Sequence, residues 1–242
     1  MSDAATVPRS AHASGTLDEA VRVLLDRGAR ADGSLRMDAA PLTRHHRPVV
    51  SDEYFLDTPV VRGFIDQVRD AIAHAGDPQD ACERIRPAFA TLLADPGWLP
   101  DAFAQPNPES GMGGGIGQWL LFRAGDRSLT LFSLIVPPGS ETPVHDHLAW
   151  GLVGLYRGTQ DEEIFDSELT LTESRALFPG DFYALLPPRD DIHRVRTTSA
   201  ETSVSIHLLT NDTGCVWRHT FDPEAKTSAP FRSGYVNVAC ED

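Results

Sequence analysis

The sequence predicts a mainly β chain, a barrel or sandwich preceded by a helical segment. Three observations predict it. The stretch "QWLLFRAGDRSLTLFSLIVPPG" reads as two strands joined at Ala124-Gly125-Asp126. From there to Thr210 the apolar residues come in short or alternating runs broken by Gly, Pro and Asp, and no helix of ordinary length fits. Before "PGWLP" the pattern is helical instead, with capped apolar stripes.

The elements follow in order. Residues 1–14 are small and polar and are expected to be a disordered tail. "TLDEAVRVLLDRG" reads as a helix: Thr16 is an N-cap, Glu19 completes a capping box, and Gly28 follows the end. The arm "ADGSLRMDAAPLTRHHRPVVSDEYFLD" has no sustained periodicity. "TPVVRGFIDQVRDAIAHAG" opens at Thr58-Pro59, closes at Gly76, and aligns Val61, Phe64, Ile65, Val68 and Ile72 in one stripe. A further helix starts at Asp77-Pro78, and Pro87 is expected to bend it. The expected division is a tail over 1–14, a helical segment over 15–100 packed on the barrel, and the barrel with its site over 101–242.

Bulk properties narrow the function. The chain has 242 residues, 41% hydrophobic, and a net charge of -14. No block of Lys and Arg stands out, which argues against nucleic acid and anionic membrane as partners. The three cysteines, Cys82, Cys215 and Cys240, form no CxxC pair and are odd in number, so neither a disulfide framework nor a cysteine-rich zinc site is expected. Cys215 is assigned no role. No stretch has the apolar core of a signal peptide or the length of a membrane span, so the expected location is the cytoplasm. A monomer or a homodimer is expected.

The chemistry centres on "GSETPVHDHLAWGLVGLYRG". In a strand, residues two apart face the same side, so His145 and His147 should point together into the barrel. An HxH pair on a polar outer face is the plainer reading. The flanking Val144, Leu148, Val153 and Leu155 speak for a strand buried on both faces, where imidazoles need a partner, most commonly a metal. His193, in "PRDDIH", starts a later strand and supplies a third nitrogen. His207, in "VSIHLL", alternates inward with Ser205 and belongs near the metal. His12, His45, His46, His74 and His219 fit less well. Asp146 should face the other side of the strand, and Trp150 is read as core.

The spacing from Gly139 through His145 and His147 to Gly158 resembles the first cupin motif. "PRDDIH" resembles the second, with Asp190 in place of its glycine. Where the usual cupin has a fourth, glutamate ligand, this sequence has Gly151. That departure resembles the thiol dioxygenases, meaning cysteine dioxygenase and especially the bacterial 3-mercaptopropionate dioxygenases. The resemblance covers roughly residues 115–210 well and the helical segment loosely.

The resemblance implies a cupin double-stranded β-helix with an N-terminal helical segment. It implies Fe(2+) held by His145, His147 and His193, and addition of both atoms of O2 to a small-molecule thiol to give a sulfinic acid. Gln118 matches a glutamine that holds the substrate carboxylate in the mercaptopropionate enzymes, while Arg123 is read as structural. Ser205 and His207 match an outer Ser-x-His-x-Tyr strand, with Leu209 in place of the tyrosine. Tyr235, or Tyr183, is the candidate to replace it beside the substrate. A leucine cannot donate a hydrogen bond, and the space it leaves suggests a larger, even heteroaromatic, thiol. Three neutral imidazoles leave the metal its full charge, so the substrate thiolate would supply the missing anion, and Gly151 would remove bulk beside the metal. The competing readings are a cupin dioxygenase or isomerase acting on a non-thiol small molecule, and a non-catalytic metal-binding cupin.

Overall fold

The computed structural model describes residues 51–241. The expected tail, the helix beginning at Thr16, and His12, His45 and His46 lie outside the described residues. Within them the order is β1 (Glu53–Tyr54), α1 (Pro59–Ala73), α2 (Pro78–Ala94), a 3-10 turn (Asp101–Phe103), β2 (Gly117–Arg123), β3 (Thr130–Val136), β4 (Val144–His145), β5 (Gly151–Arg157), β6 (Gln160–Phe165), β7 (Leu171–Leu177), β8 (Phe182–Leu185), β9 (Ile192–Thr197), β10 (Ser203–Leu209), β11 (Arg218–Asp222) and β12 (Thr227–Phe231). None of the described helices is long and apolar enough to cross a membrane.

The strands form two six-stranded antiparallel sheets, ordered β1-β2-β3-β10-β5-β8 and β12-β11-β4-β9-β6-β7. This is the mainly β, double-stranded β-helix expected from the sequence. β1 is an addition: the arm before α1 gains a two-residue strand because Tyr54 pairs with Phe122. Arg123 secures this edge with ion pairs to Glu53 at 2.7 Å and to buried Asp212 at 3.1 Å, the structural role expected of it.

Both helices start as their sequence signals require. Thr58 accepts the Val61 amide and Asp77 accepts the Asp80 amide, each followed by proline at the first helical position. α1 buries Val61, Phe64, Ile65, Val68 and Ala71; Ile72 is partly buried against the same core. α2 runs through Pro87, which sits on its exposed side, and buries Cys82, Ile85, Phe89, Leu92 and Leu93. These residues share one core with Leu152, Tyr156, Ile206 and Leu208 from the first sheet. Gly154 permits the contact, since a β-carbon there would lie 2.5 Å from Leu93 and 2.8 Å from both Phe89 and Phe182. With its outward face covered by helices, the first sheet turns the other face to the second sheet, and the site lies between them.

One expectation is corrected. Cys215 and Cys240 form a disulfide with their Cα atoms 5.2 Å apart. The β11–β12 hairpin doubles the chain back between them, so their spacing of 25 residues says nothing of their distance. Cys82 is the free, buried cysteine among the described residues.

Candidate metal centre

His145 ends β4 and pairs directly with His193 on β9. That register alone places two imidazoles side by side between the sheets. His147 reaches them differently from the expectation, because β4 stops at His145. Asp191 ends the strand by accepting the amides of His147 at 2.9 Å and Leu148 at 3.2 Å, and Leu148 turns the chain at φ 55°. Even so, the three rings converge, with centroids 4.8–4.9 Å apart and one ligand nitrogen of each within 4.8 Å of the others. All three are buried.

A protein acceptor stands behind each ring. The Pro143 carbonyl lies 2.8 Å from His145 Nδ1, Asp191 Oδ1 3.2 Å from His147 Nδ1, and Glu162 Oε1 2.5 Å from His193 Nδ1. Each contact places the proton on Nδ1 and leaves Nε2 as a lone pair, the tautomer a metal ligand requires. Burial, with the nearby Arg218 cation and the neighbouring imidazoles, holds His145 and His147 well below the ordinary histidine range. Three convergent, buried nitrogens with oriented rings suit a metal ion. Carboxylates, few in the sequence near the HxH, are therefore present in space, behind the ligands.

Glu162 anchors the most connected of these supports. It is fully buried and accepts from His193 Nδ1, Tyr183 Oη at 2.6 Å and Arg175 Nε at 2.6 Å. Burial pushes its carboxyl up, but His193 and Arg175 outweigh that and hold it at about 2. Arg175 also lies over the Tyr183 ring, 3.9 Å from its centroid. Glu162 and Asp191 escaped the sequence reading. The available signals were the alternation of β6, which points Glu162 inward beside Gln160, and the position of Asp191 two residues before His193.

His207 and Gln118 approach from the first sheet. His207 lines the narrow spaces on both sides of the histidines, accepts or donates at Nε2 to Ser205 Oγ at 2.9 Å, and stacks on Phe132. Burial lowers its pKa to about 3. Its Nδ1 and the Nε2 of Gln118 are buried without a hydrogen-bond partner. Gln118 lines one of these spaces together with His145, His147 and Arg218. Arg218, also missed from the sequence, is 3% exposed and donates to the Asp146 carbonyl, the Thr213 carbonyl and Ser233 Oγ. Among the described residues no carboxylate lies within ion-pair distance of it, and burial lowers its pKa to about 10.

Three further positions stand differently from the sequence reading. A β-carbon at Gly151 would fall 1.9 Å from the Leu208 carbonyl oxygen, so this glycine answers the close approach of β10 and does not clear room for a ligand. Leu209 leaves no space: it is fully buried among Leu120, Phe132, Ala149, Val153 and Leu185. The spaces beside the histidines are about 10 Å³ each, about enough for one water. Tyr235 sits behind Phe132, with its ring on Gly214 and its hydroxyl accepting the Gly214 amide at 2.9 Å. Tyr183 does reach one of these spaces. Asp146 faces away as expected and binds the amide and Nδ1 of His219. Asp190, in place of the motif glycine, keeps its left-handed backbone at φ 58°, which aspartate tolerates better than most residues.

No protein-family model matches the chain. Parts of the chain are similar to solved cupin structures. An oxalate decarboxylase from Lactobacillus farciminis in a formate complex is 15% identical at TM-score 0.31, over 36% of this chain and 25% of that one. A cupin-2 domain from Rhodospirillum rubrum is 17% identical at TM-score 0.33, over 39% and 59%. A cupin 2 domain-containing protein from Halorhodospira halophila is 17% identical at TM-score 0.34, over 48% and 69%. The chain thus spans a quarter of that decarboxylase, and likeness at this level assigns no activity.

Proposed function

We propose that this protein is a non-heme Fe(II) thiol dioxygenase that converts a small thiol carrying a carboxylate into its sulfinic acid. The observation that carries the reading is the donor set. His145, His147 and His193 are the convergent ligands among the described residues, each with an acceptor behind its Nδ1, and burial holds His145 and His147 neutral. The position of the usual fourth, anionic ligand is Gly151, which the backbone of β10 covers. The anion is then left for the substrate to bring, and a thiolate suits it. Bound Fe(2+) would supply the activation that joins O2 to the substrate sulfur, with the balance RSH + O2 → RSO2H.

The chain's own residues favour a particular kind of substrate. Arg218 is a buried cation without a carboxylate partner, and Gln118 Nε2 is a buried donor without an acceptor. Both line the same narrow space beside His145 and His147, which favours a carboxylate oxygen of the substrate there, in a space the size of one water. The filled surroundings of Leu209 favour a short thiol over a heteroaromatic one. Ser205 orients His207, whose free Nδ1 is poised to hydrogen-bond a substrate or oxygen atom.

The test is anaerobic loading with Fe(II), then addition of O2 and a thiol panel of 3-mercaptopropionate, mercaptosuccinate, cysteine, cysteamine and a thioimidazole. Oxygen uptake matched by a mass gain of two oxygens on a carboxylated thiol is the expected result. No uptake with any thiol at full iron occupancy would overturn the reading in favour of a cupin acting on a non-thiol molecule.

A further inference from the structure

After β12 the chain returns across the first sheet and the loop after β10. Its contacts there are specific. Arg218 Nη2 donates to Ser233 Oγ at 2.9 Å, and the Gly234 amide donates to the Gly214 carbonyl at 2.8 Å. The Tyr235 ring covers Gly214, where a β-carbon would lie 2.4 Å from it. The Val236 amide donates to the Gln118 carbonyl at 2.8 Å. Asn237 exchanges both its amide groups with the backbone of Leu120, each at 2.9 Å. Cys240, joined to Cys215, closes the far end.

This strap therefore binds the two residues, Gln118 and Arg218, that line the space beside the histidines. It is built of half-buried and exposed residues held by a few scattered hydrogen bonds and the exposed Arg127–Glu241 ion pair, which is the profile of a segment with low local stability. The two half-buried disulfide cysteines are its covalent fastening. The free Cys82 is buried and its thiol is pushed up to about 11 by burial, so it does not compete in exchange.

We propose that residues 232–241 form a strap latched by the Cys215–Cys240 disulfide, and that a small thiol opens the latch and frees the strap from Gln118 and Arg218. In the first step a thiolate attacks one cysteine sulfur, forming a mixed disulfide as the Cys215–Cys240 bond breaks and the other cysteine leaves as thiolate. A second thiol then displaces the bound one. The protein gains two electrons and two protons, and two thiol molecules become one disulfide. The latch stands on its own contacts; only its effect on substrate affinity rests on the proposed function. An opened strap loosens the groups expected to hold the substrate carboxylate and leaves the histidines and their supports in place.

The experiment uses the iron-loaded protein without oxygen, untreated or treated with 3-mercaptopropionate or a phosphine reductant, and follows thiol count and amide hydrogen exchange. With the disulfide reduced, protection of the Gly214, Leu120, Gly234 and Val236 amides should fall about tenfold or more, with β3 and β10 changing less than about twofold. Unchanged strap amides after complete reduction would overturn the proposal. So would loss of protection throughout the barrel, which would make the disulfide a global staple, or reduction by the phosphine alone. The C215S/C240S double variant should reproduce the reduced pattern, and reduction of the natural protein carries the test should that variant not fold. In turnover, opening should raise KM for a carboxylated thiol about tenfold with kcat kept within about twofold. Absence of any thiol oxidation would count against the proposed function and leave the exchange result to judge the latch.

Discussion

Glu162→Gln tests whether the outer carboxylate decides metal binding. The change keeps the shape of a fully buried side chain and removes its charge. In the native protein the carboxyl is held at about 2 against an ordinary 4.5, a preference for the ionised form on the order of 3 kcal/mol. Its partners would each respond. Arg175 loses the carboxylate 2.6 Å from its Nε, and Tyr183 loses a charged acceptor. His193 is affected most, since an amide nitrogen turned toward its Nδ1 requires that nitrogen to accept. The proton then moves to Nε2 and the ligand lone pair is lost. Loss of an outer partner of this kind costs about 10–100-fold in metal affinity, or about 1.4–2.8 kcal/mol. The assay is anaerobic competition for Fe(II) against a chelator of known affinity, with circular dichroism to confirm the fold. Glu163→Gln is the control, because Glu163 points outward to Arg194 in a half-exposed pair whose loss costs less than about 1 kcal/mol. Equal Fe(II) affinity in Glu162→Gln and the natural protein would refute the reasoning.

Three further outcomes are expected. His193→Ala should lose tight metal binding while keeping the barrel's circular dichroism spectrum, whereas unfolding of the variant would assign His193 to the core instead. Gly151→Glu should lower the thermal midpoint by the equivalent of about 1–3 kcal/mol and add no metal affinity, because β10 blocks the side chain; a stable variant with tighter metal binding would contradict this. The metal-free protein should lose stability as pH falls from about 6.5 toward 5. His145, His147 and His207 have folded pKa values below the ordinary 6.5, so in that window the unfolded chain takes up protons that the native state refuses. Glu162 adds to the loss below 4.5. A thermal midpoint of the metal-free protein that holds level or rises from pH 7 to 5 would show these imidazoles to be charged in the native state.

The elements of this protein were legible wherever the cause was local. Thr58-Pro59 and Asp77-Pro78 start their helices because capping and the proline φ act within one turn. β2 and β3 are apolar runs around a turn, and their pairing follows from adjacency. The three histidines were legible because a metal demands that residue type in quantity. The supports were not. Glu162 stands 31 residues from His193 and Asp191 stands 44 from His147, and only the register of β6 on β9 and the end of β4 bring them together. The orphaned donors of Gln118 and His207, the buried charge of Arg218 and the Cys215–Cys240 bond depend likewise on strands and a strap meeting from opposite ends of the chain. The reading of Gly151 and Leu209 went astray for the same reason: whether a missing side chain leaves space depends on what packs there, and β10 with its neighbours fills both places. Local preference, which acts through the backbone of a few residues, set the elements and the ligand types; packing and long-range register, which no short stretch encodes, set the shape, charge and closure of the site.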